Sequence, residues 1–239
     1  MEKSKLDKFI SKYNLGGSCE SVTLKSDGDN LSVRTISADK NVLVEITAEQ
    51  IKFPEGEFGV YDTKKLRSIL GVLDENITVN TSVANGKMTG LNLNDNSTKA
   101  TFVLADATVI PAVPELKKLP VVDFTILLDD KFVGTFVKAK SALNDVETFT
   151  VMSSGADKTA EVVIGHSSNN TNRISITVAT DVATKVSPIS FSANYLREIL
   201  TANKEVSNGT LQISSKGLSV AKFDSNGYAS TYYLVQISI

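Results

Sequence analysis

The stretch FSANYLREIL, residues 191–200, resembles a second stretch, YDTKKLRSIL, residues 61–70, which lies 130 residues earlier in the chain. Each begins with an aromatic residue, continues with a short polar residue, and ends in the pattern Leu-Arg-x-Ile-Leu that is typical of an amphipathic helix. Two such helices also arise by chance in an α+β chain of this length, so the match alone leaves duplication and coincidence equally open. The flanking sequence has to decide between them.

Four segments are predicted to be helices, and each is followed by several strand-like segments. Asp62 and Ser192 stand where N-caps are expected for two of them. The third helix also begins like the first, with Asp130-Lys131-Phe132 against Asp7-Lys8-Phe9. The predicted helices span residues 3–13, 63–73, 131–143 and 193–204. This regular order favours an internal repeat of four units in two halves.

Short segments rich in β-branched and aromatic residues make up most of the remaining sequence, and turn-forming residues separate them. They predict antiparallel hairpins and an α+β fold in which sheets dominate. The strand-like segments are SVTLKS, LSVRTIS, NVLVEIT, ITVNTSV, TFVLAD, ETFTVMSS, AEVVIGHS, RISITVAT, GTLQISS, LSVAKF and TYYLVQISI.

Two domains joined by an extended connector are expected from the 239 residues and the 41% hydrophobic content. The segment between the halves contains Pro111, Pro114 and Pro120, three of the five prolines in the chain. We therefore predict an N-terminal domain over residues 1–106, a connector over 107–120 and a C-terminal domain over 121–239.

Residue usage argues against several classes of protein. No apolar run is long enough to span a membrane and the N-terminus lacks the apolar core of a signal peptide, so we expect a cytoplasmic protein. The single cysteine, Cys19, and the single histidine, His166, leave no zinc cluster, disulfide framework or nucleophile–base pair. We expect Cys19 in or near the core, and His166 in a turn or at the surface at the end of a strand. No metal, cofactor or enzymatic activity is predicted.

Positive charge is concentrated on the predicted helices, although the chain as a whole has a formal net charge of −2. The four helical segments contain twelve Lys or Arg residues and only two acidic residues, Asp7 and Glu198. Five further acidic residues lie just outside these segments and reduce the excess without removing it. Lysines often only solvate a helix, but four cationic helices on an otherwise acidic chain indicate a surface suited to phosphates.

Helical geometry separates apolar from cationic or neutral side chains on all four helices. On the first helix, for example, Leu6, Phe9 and Ile10 share one face, while Lys5, Lys8 and Lys12 share another. The fourth helix is the least basic, because Glu198 lies next to Arg197 close to its exposed face.

In order and spacing, this pattern resembles the sliding clamps that serve as DNA polymerase processivity factors. The likeness is greatest to the trimeric clamps of T-even-type bacteriophages, and the fold implied is that of proliferating cell nuclear antigen. The resemblance covers nearly the whole chain, from the two β-rich halves and proline-containing connector to the closing run FSANYLREILTANKE...GTLQISSKGLSVAKFDSNGYASTYYLVQISI. It implies a homotrimeric ring around duplex DNA, with helices lining the hole.

The resemblance also implies roles for particular residues. Cations on the inner helices would contact DNA, and a pocket beside the connector would take short peptides of DNA polymerase and the clamp loader. Edge strands over residues 99–104 and 173–178 would join neighbouring subunits. The implied DNA contacts are Lys5, Lys8, Lys12, Lys64, Arg67, Lys131, Lys138 and Arg197. The implied pocket residues are Val109, Ile110, Val113, Leu116, Leu234 and Val235. The implied subunit contacts are Thr101, Val103, Ile174 and Ile176.

The sequence is also compatible with other roles for the connector and with other classes of protein. The apolar connector residues equally fit a role in holding the linker against the domains. A two-domain, β-rich viral structural or surface protein would share the turns and the low aromatic content, but it would not require repeated basic helices. A single-strand-binding protein usually presents aromatic stacking platforms, and here tryptophan is absent and most Phe and Tyr fall on apolar faces.

Overall fold

The structure is a computed structural model, and it describes residues 1–116, 118–167 and 171–237. The chain packs as two compact units. The first comprises residues 1–38, 44–114 and 225–230, and the second comprises 39–43, 115–224 and 231–239.

Four α-helices are present in the described residues, at the four predicted positions. Asp62 and Ser192 cap two of them as predicted, since their side chains accept hydrogen bonds from the backbone N–H groups of Lys65 and Tyr195. The second helix is three residues shorter than predicted because its C-cap is Gly71, and glycine is a poor helix former. The helices are α1 (Lys3–Asn14), α2 (Thr63–Leu70), α3 (Asp130–Ala142) and α4 (Ala193–Ala202).

Helix α1 begins without a capping side chain of its own. Its first N–H groups are satisfied instead by Glu75, whose backbone oxygen accepts from Lys3 N at 2.7 Å and whose carboxylate accepts from Ser4 N at 3.1 Å. The hydrogen bonds from Ser4 hold the pKa of the Glu75 carboxyl below its usual value. The connection that follows α2 therefore fixes the start of α1.

Strands account for most of the remaining regular structure. The strands of the first half are β1 (Val22–Ser26), β2 (Leu31–Ile36), β3 (Val42–Ala48), β4 (Gly56–Val60), β5 (Thr78–Ala84), β6 (Lys87–Asn94) and β7 (Lys99–Val103). The strands of the second half are β8 (Phe124–Leu128), β9 (Thr148–Ser154), β10 (Thr159–Ile164), β11 (Ile174–Ala179), β12 (Lys185–Ser192), β13 (Gly209–Ser214), β14 (Leu218–Ser225) and β15 (Tyr228–Val235). Short 3₁₀ turns follow α1 and open the connector.

The two halves have similar sheet orders. In the first half the neighbours run β4-β1-β2-β3 in one sheet and β5-β6-β7 in another. In the second half they run β8-β13-β14-β15 and β11-β10-β9-β12. Neighbouring strands pair in the antiparallel direction; for example, Leu24 of β1 lies opposite Val33 of β2, and Leu211 of β13 lies opposite Ile126 of β8. An α+β fold dominated by antiparallel sheets was predicted, and it is confirmed.

The helices bury their apolar faces on these sheets. Leu6, Phe9 and Ile10 of α1 are almost fully buried, and each such side chain stabilises the folded state by about 1.5–3 kcal/mol. In the second unit Phe149 lies between Phe136 of α3 and Phe191, with ring centroids 5.5 and 5.7 Å away. The repeated Leu-Arg-x-Ile-Leu pattern thus seats a helix on a sheet: Leu66, Leu70, Leu196, Ile199 and Leu200 are all buried.

The two segments expected to be edge strands, residues 99–104 and 173–178, contain strands that lie at sheet edges. Strand β7 is an edge strand of the three-stranded sheet β5-β6-β7, and β11 is an edge strand of the four-stranded sheet β11-β10-β9-β12. At the opposite end of the latter, β12 contains Pro188 and a shift of register between Val186 and Ile189. Proline is tolerated there because an edge strand does not need every N–H for pairing.

Cys19 is buried, and His166 is half-buried just beyond the end of β10, as the sequence predicted for both. Across the described ranges, no group of three or more His, Cys, Asp or Glu side chains is arranged to hold a metal ion. Among the helices of the same residues, none has the length and apolar character needed to cross a membrane.

Candidate functional site

The lysines predicted to face a phosphate surface fall into exposed and covered groups. Lys5, Lys64, Lys131 and Lys138 are exposed on the first three helices. Lys8 is half-buried, and its ammonium lies 5.0 Å from the ring centroid of Tyr228. An ammonium over an aromatic face is attracted by the ring's electron density.

Lys12 corrects one prediction, because it does not share the exposed face of Lys5 and Lys8. Its side chain is only 1% exposed, and its ammonium lies 5.4 Å from the Tyr228 ring centroid. Tyr228 lies more than 200 residues further along the chain, at the start of β15. The spacing of residues along the helix does not show that a distant tyrosine covers Lys12. Lys12 is therefore not one of the exposed cations.

Arg67 is oriented by an acidic neighbour within the first unit. Its Nε and Nη2 atoms donate hydrogen bonds to the two carboxylate oxygens of Asp7, at 2.8 and 3.2 Å. This bidentate pair joins α2 to α1 and compensates most of the guanidinium charge. Arg67 is therefore a weaker source of positive field than its sequence position suggested.

The fourth helix is similar, as the presence of Glu198 indicated. The Arg197 guanidinium donates from Nε and Nη2 to Glu198 Oε1, at 3.1 and 2.8 Å. The same guanidinium carries a positive charge beside Lys140 of α3, and burial together with this charge lowers the pKa of the Lys140 ammonium. Lys140 is buried and donates to the backbone oxygen of Asn144 at 2.8 Å. Of the second-unit residues predicted to contact DNA, Lys131 and Lys138 are therefore the exposed cations with no hydrogen-bonded carboxylate beside them in the part of the chain that the structure describes.

A groove lies between the connector and the first-half sheet. It has a volume of about 600 Å³, and its connector side is formed by residues 110–113. Arg34 of β2 holds the connector by donating to Pro114 O at 2.7 Å, while its Nε donates to Glu45 Oε1 at 2.8 Å. The sheet side of the groove is mainly polar; it includes Thr23, Lys25, Ser32, Arg34, Thr35, Glu45, Thr47 and Glu57.

The six residues predicted for a peptide pocket do not all come together. Ile110 and Val113 line the groove. Val109 and Leu116 are exposed on the connector outside the groove lining, and Val235 is 45% exposed on β15. Leu234 is fully buried, so its side chain is core and not part of an accessible pocket. The sequence also missed Arg34, because an alternating strand pattern does not show which polar side chain meets a loop.

The start of the connector is fixed by Asp106. Its carboxylate accepts from Thr108 N at 3.0 Å, Thr108 Oγ1 at 2.9 Å and Lys87 Nζ at 3.2 Å. These interactions, the backbone hydrogen bond first, lower the pKa of Asp106 to about 2. Gly59 on β4 lies so close to Ala105 O that an added Cβ would be 2.4 Å away, so only glycine fits there.

The four residues predicted for subunit contacts lie on the two edge strands. On β7, Thr101 and Val103 are exposed, Val103 by 76%. On β11, Ile174 and Ile176 are half-exposed. A second groove of about 460 Å³ runs between β11 and the start of α3; its apolar lining includes Leu127, Phe132, Ile176 and Val178.

Known structures with the same architecture are found over the whole chain. Proliferating cellular nuclear antigen from Entamoeba histolytica aligns with a TM-score of 0.73 at 15% identity, over 99% of this chain and 96% of that one. The chain has the DNA-clamp fold. A structure of the PCNA2–PCNA3 complex from Sulfolobus tokodaii aligns with a TM-score of 0.70 at 13% identity, over 99% of this chain and 97% of that one. No protein family and no curated protein matches the sequence.

The structural matches extend over both β-rich halves of the chain, since they cover 99% of it. At 13–15% identity the comparison establishes the fold and leaves function to the residues of this chain.

Proposed function

We propose that this chain is a DNA sliding clamp, a processivity factor that encircles duplex DNA and tethers the replicative polymerase. The observation that carries the proposal is the set of exposed lysines on the helices of a clamp-fold chain whose net charge is −2. Lysine ammonium groups meet phosphates as point charges without reading bases, and mobile contacts of this kind allow sliding. A chain that needs only soluble helices has no reason to place most of its acidic residues on strands and loops.

The inner contacts divide into strong and weak ones in this proposal. Lys5, Lys8, Lys64, Lys131 and Lys138 supply most of the attraction for DNA. Arg67 and Arg197 contribute less, because carboxylates already accept their hydrogen bonds. Weak, distributed contacts suit a protein retained on DNA by closure of a ring.

Ring closure is proposed through the two edge strands. Strand β7 of one subunit would pair with β11 of the next and satisfy N–H and C=O groups that edge strands leave open. Exposed Val103 and the apolar groove beside β11 support this pairing, because assembly would bury both apolar surfaces away from water. Head-to-tail contacts of unlike surfaces close into rings when the rotation permits. We propose three subunits, as in T-even-type clamps.

Partner proteins are proposed to dock at the connector groove. Short peptides of the polymerase and of a clamp loader would lie between residues 110–113 and the polar sheet side, with Ile110 and Val113 providing apolar contacts. A clamp of the bacteriophage type would act in the host cytoplasm, where phage DNA is replicated.

Primer extension on a long single-stranded circle tests this proposal. The replicative polymerase and clamp loader from the same genome would be assayed with and without the chain, at a polymerase concentration too low for rebinding. We expect longer products when the chain is present, and shorter products when Lys64, Lys131 and Lys138 are all changed to Gln. Lys158→Gln, which removes an exposed charge from a β9–β10 turn, is the control. Product lengths that do not respond to the chain would refute the proposed function.

A further inference from the structure

A polar pocket lies beside the first half of α1, in the first unit. Its volume is about 490 Å³, and it opens to solvent. Two turns form its other walls, one at the end of β3 and one between β14 and β15. The lining residues are Ser4, Lys5, Lys8, Glu49, Gln50, Asn226, Gly227 and Tyr228.

The two turns are fixed to each other and to the helix. Glu49 N donates to Gly227 O at 2.7 Å, which joins the turns. Tyr228 Oη donates to Lys5 O at 3.0 Å, and the Tyr228 ring lies beneath the Lys8 ammonium. The cations of α1 and the side chains of the turns are therefore held around one space.

The pocket offers hydrogen-bond donors suited to an anion. Lys5 and Lys8 bring two ammonium groups, and the exposed side chains of Gln50 and Asn226 add two neutral NH₂ groups. Two carboxylates oppose them: Glu49 in the lining, and Glu2, whose oxygen lies 3.8 Å from Lys5 Nζ at an exposed site. The Ser4 hydroxyl is engaged with the Glu75 carboxylate.

Gln50 and Asn226 share a left-handed backbone conformation. Their φ angles are 57° and 55°, in the left-handed region where glycine is the default residue. Asparagine tolerates this region, whereas glutamine rarely adopts it. Both positions nevertheless carry amide side chains beside the lysines. The φ angle of Asn226 is explained by its turn, because Asn226 and Gly227 form the Asn-Gly pair that two-residue hairpin connections favour. Gln50 is the unusual one, and a residue kept in an unfavourable backbone region points to a role for its side chain.

We propose that this pocket binds a phosphate of the DNA backbone, with Gln50 and Asn226 donating hydrogen bonds beside the ammonium groups of Lys5 and Lys8. The inference rests on the proposed function and extends the DNA contact from the helices to two turns. The contact is independent of base sequence, because the donors reach phosphate oxygens only.

Glycine substitutions test the proposal without straining the turns. Gln50→Gly and Asn226→Gly remove the donors and leave a residue that favours the same φ angle. Asn85→Gly is the matched control, since Asn85 is an exposed turn residue with φ 52° away from this pocket. Fluorescence anisotropy with a labelled duplex at low salt gives the affinity, and thermal melting checks the fold.

We expect the double glycine variant to bind duplex roughly 5- to 150-fold more weakly than the Asn85→Gly control, as for the loss of two neutral hydrogen bonds. Its salt dependence should stay unchanged, while Lys5→Gln should lower the slope of log affinity against log salt by about 0.9. In ¹⁵N spectra, the side-chain amide signals of Gln50 and Asn226 should shift with duplex. Inorganic phosphate at the same ionic strength should leave them in place.

Three results would contradict this picture. A double variant that binds like the control, while the wild type binds duplex, would overturn the inference alone. Equal shifts with inorganic phosphate would show a general anion pocket and overturn the assignment to DNA. A wild-type chain with no affinity for duplex and no effect on primer extension would overturn the proposed function and, with it, this inference.

Discussion

The guanidinium of Arg67 donates to both carboxylate oxygens of Asp7, and this pair joins α2 to α1 across the cationic surface of the first unit. Both side chains are more than a third exposed, so the pair stabilises the fold by only about 0–1 kcal/mol. Its larger effect is on the surface field, because a bidentate carboxylate leaves little uncompensated charge for a phosphate.

This arrangement predicts unequal effects of charge removal on α2. Lys64→Gln should lower the slope of log DNA affinity against log salt by about 0.9, whereas Arg67→Gln should lower it by less. Asp7→Asn should raise the affinity, because it frees the Arg67 guanidinium. Duplex binding measured at several salt concentrations checks all three variants. Equal slopes for Lys64→Gln and Arg67→Gln would show that Asp7 does not compensate Arg67.

The proposed subunit contact predicts that charge on either edge strand prevents assembly. Val103→Glu on β7 and Ile176→Glu on β11 should each yield monomers, because a carboxylate would be buried without a partner. Val83→Glu is the control, since Val83 is exposed on β5 at the opposite edge of the same sheet as β7. Solution mass by light scattering distinguishes the outcomes. Assembly that survives both edge substitutions would place the contact elsewhere.

The Asp95 carboxylate predicts a specific dependence of stability on pH. It accepts hydrogen bonds from the backbone N–H groups of Asp74, Ser97 and Thr98, which lower its pKa to about 2. A carboxyl group whose pKa is lower in the folded state stabilises the fold at pH values above its unfolded-state pKa of about 3.9. That stabilisation is lost as the pH falls toward the folded-state pKa. The difference in unfolding free energy between wild type and Asp95→Asn should therefore be constant near neutral pH and shrink between about pH 4 and pH 2.

Urea unfolding at a series of pH values provides the measurement for Asp95. Glu55→Gln is the control, since Glu55 is an exposed carboxylate in the bend just before β4. A difference for Asp95→Asn that does not change with pH in the acid range would contradict the assigned hydrogen bonds.

Arg34 predicts how firmly the connector is held. Arg34→Gln removes the hydrogen bond to Pro114 O and the ion pair with Glu45. Backbone amides of residues 109–115 should then exchange with solvent faster, while those of β2 and β3 keep their protection. Thr108→Ala, which loosens the connector start at Asp106, should raise exchange mainly around residue 108. Unchanged exchange in Arg34→Gln would show that other contacts hold the connector.

The sequence predicted the architecture well because the helices and most strands carry local signals. Caps at Asp62 and Ser192 and the apolar faces of the helices are set by nearby residues. Four strands escaped prediction for local reasons. Strand β4 has two glycines in five residues, β6 contains Gly90, β8 follows the proline-rich connector, and β12 contains Pro188. In β4, β6 and β12, pairing with neighbouring strands overrides a residue that forms strands poorly.

The candidate site was less predictable because it depends on contacts between distant segments. Lys12 is covered by Tyr228, Arg67 is paired with Asp7, and the connector is held by Arg34. None of these partners is within one helical turn of the residue it affects. Charge patterns in a sequence therefore located the cationic helices, but tertiary packing determines which of their cations remain open.

The topology of attachment to DNA tests the central claim most directly. Subunits would be dissociated by dilution, mixed with a nicked circular plasmid, concentrated so that rings close, and separated by gel filtration. The proposed clamp should co-elute with the circle in moderate salt and leave it after one restriction enzyme makes a single double-strand cut, since a ring slides off a free end. Retention that is the same on circular and linear plasmid, or absent from both while the chain is trimeric, would contradict encirclement of DNA.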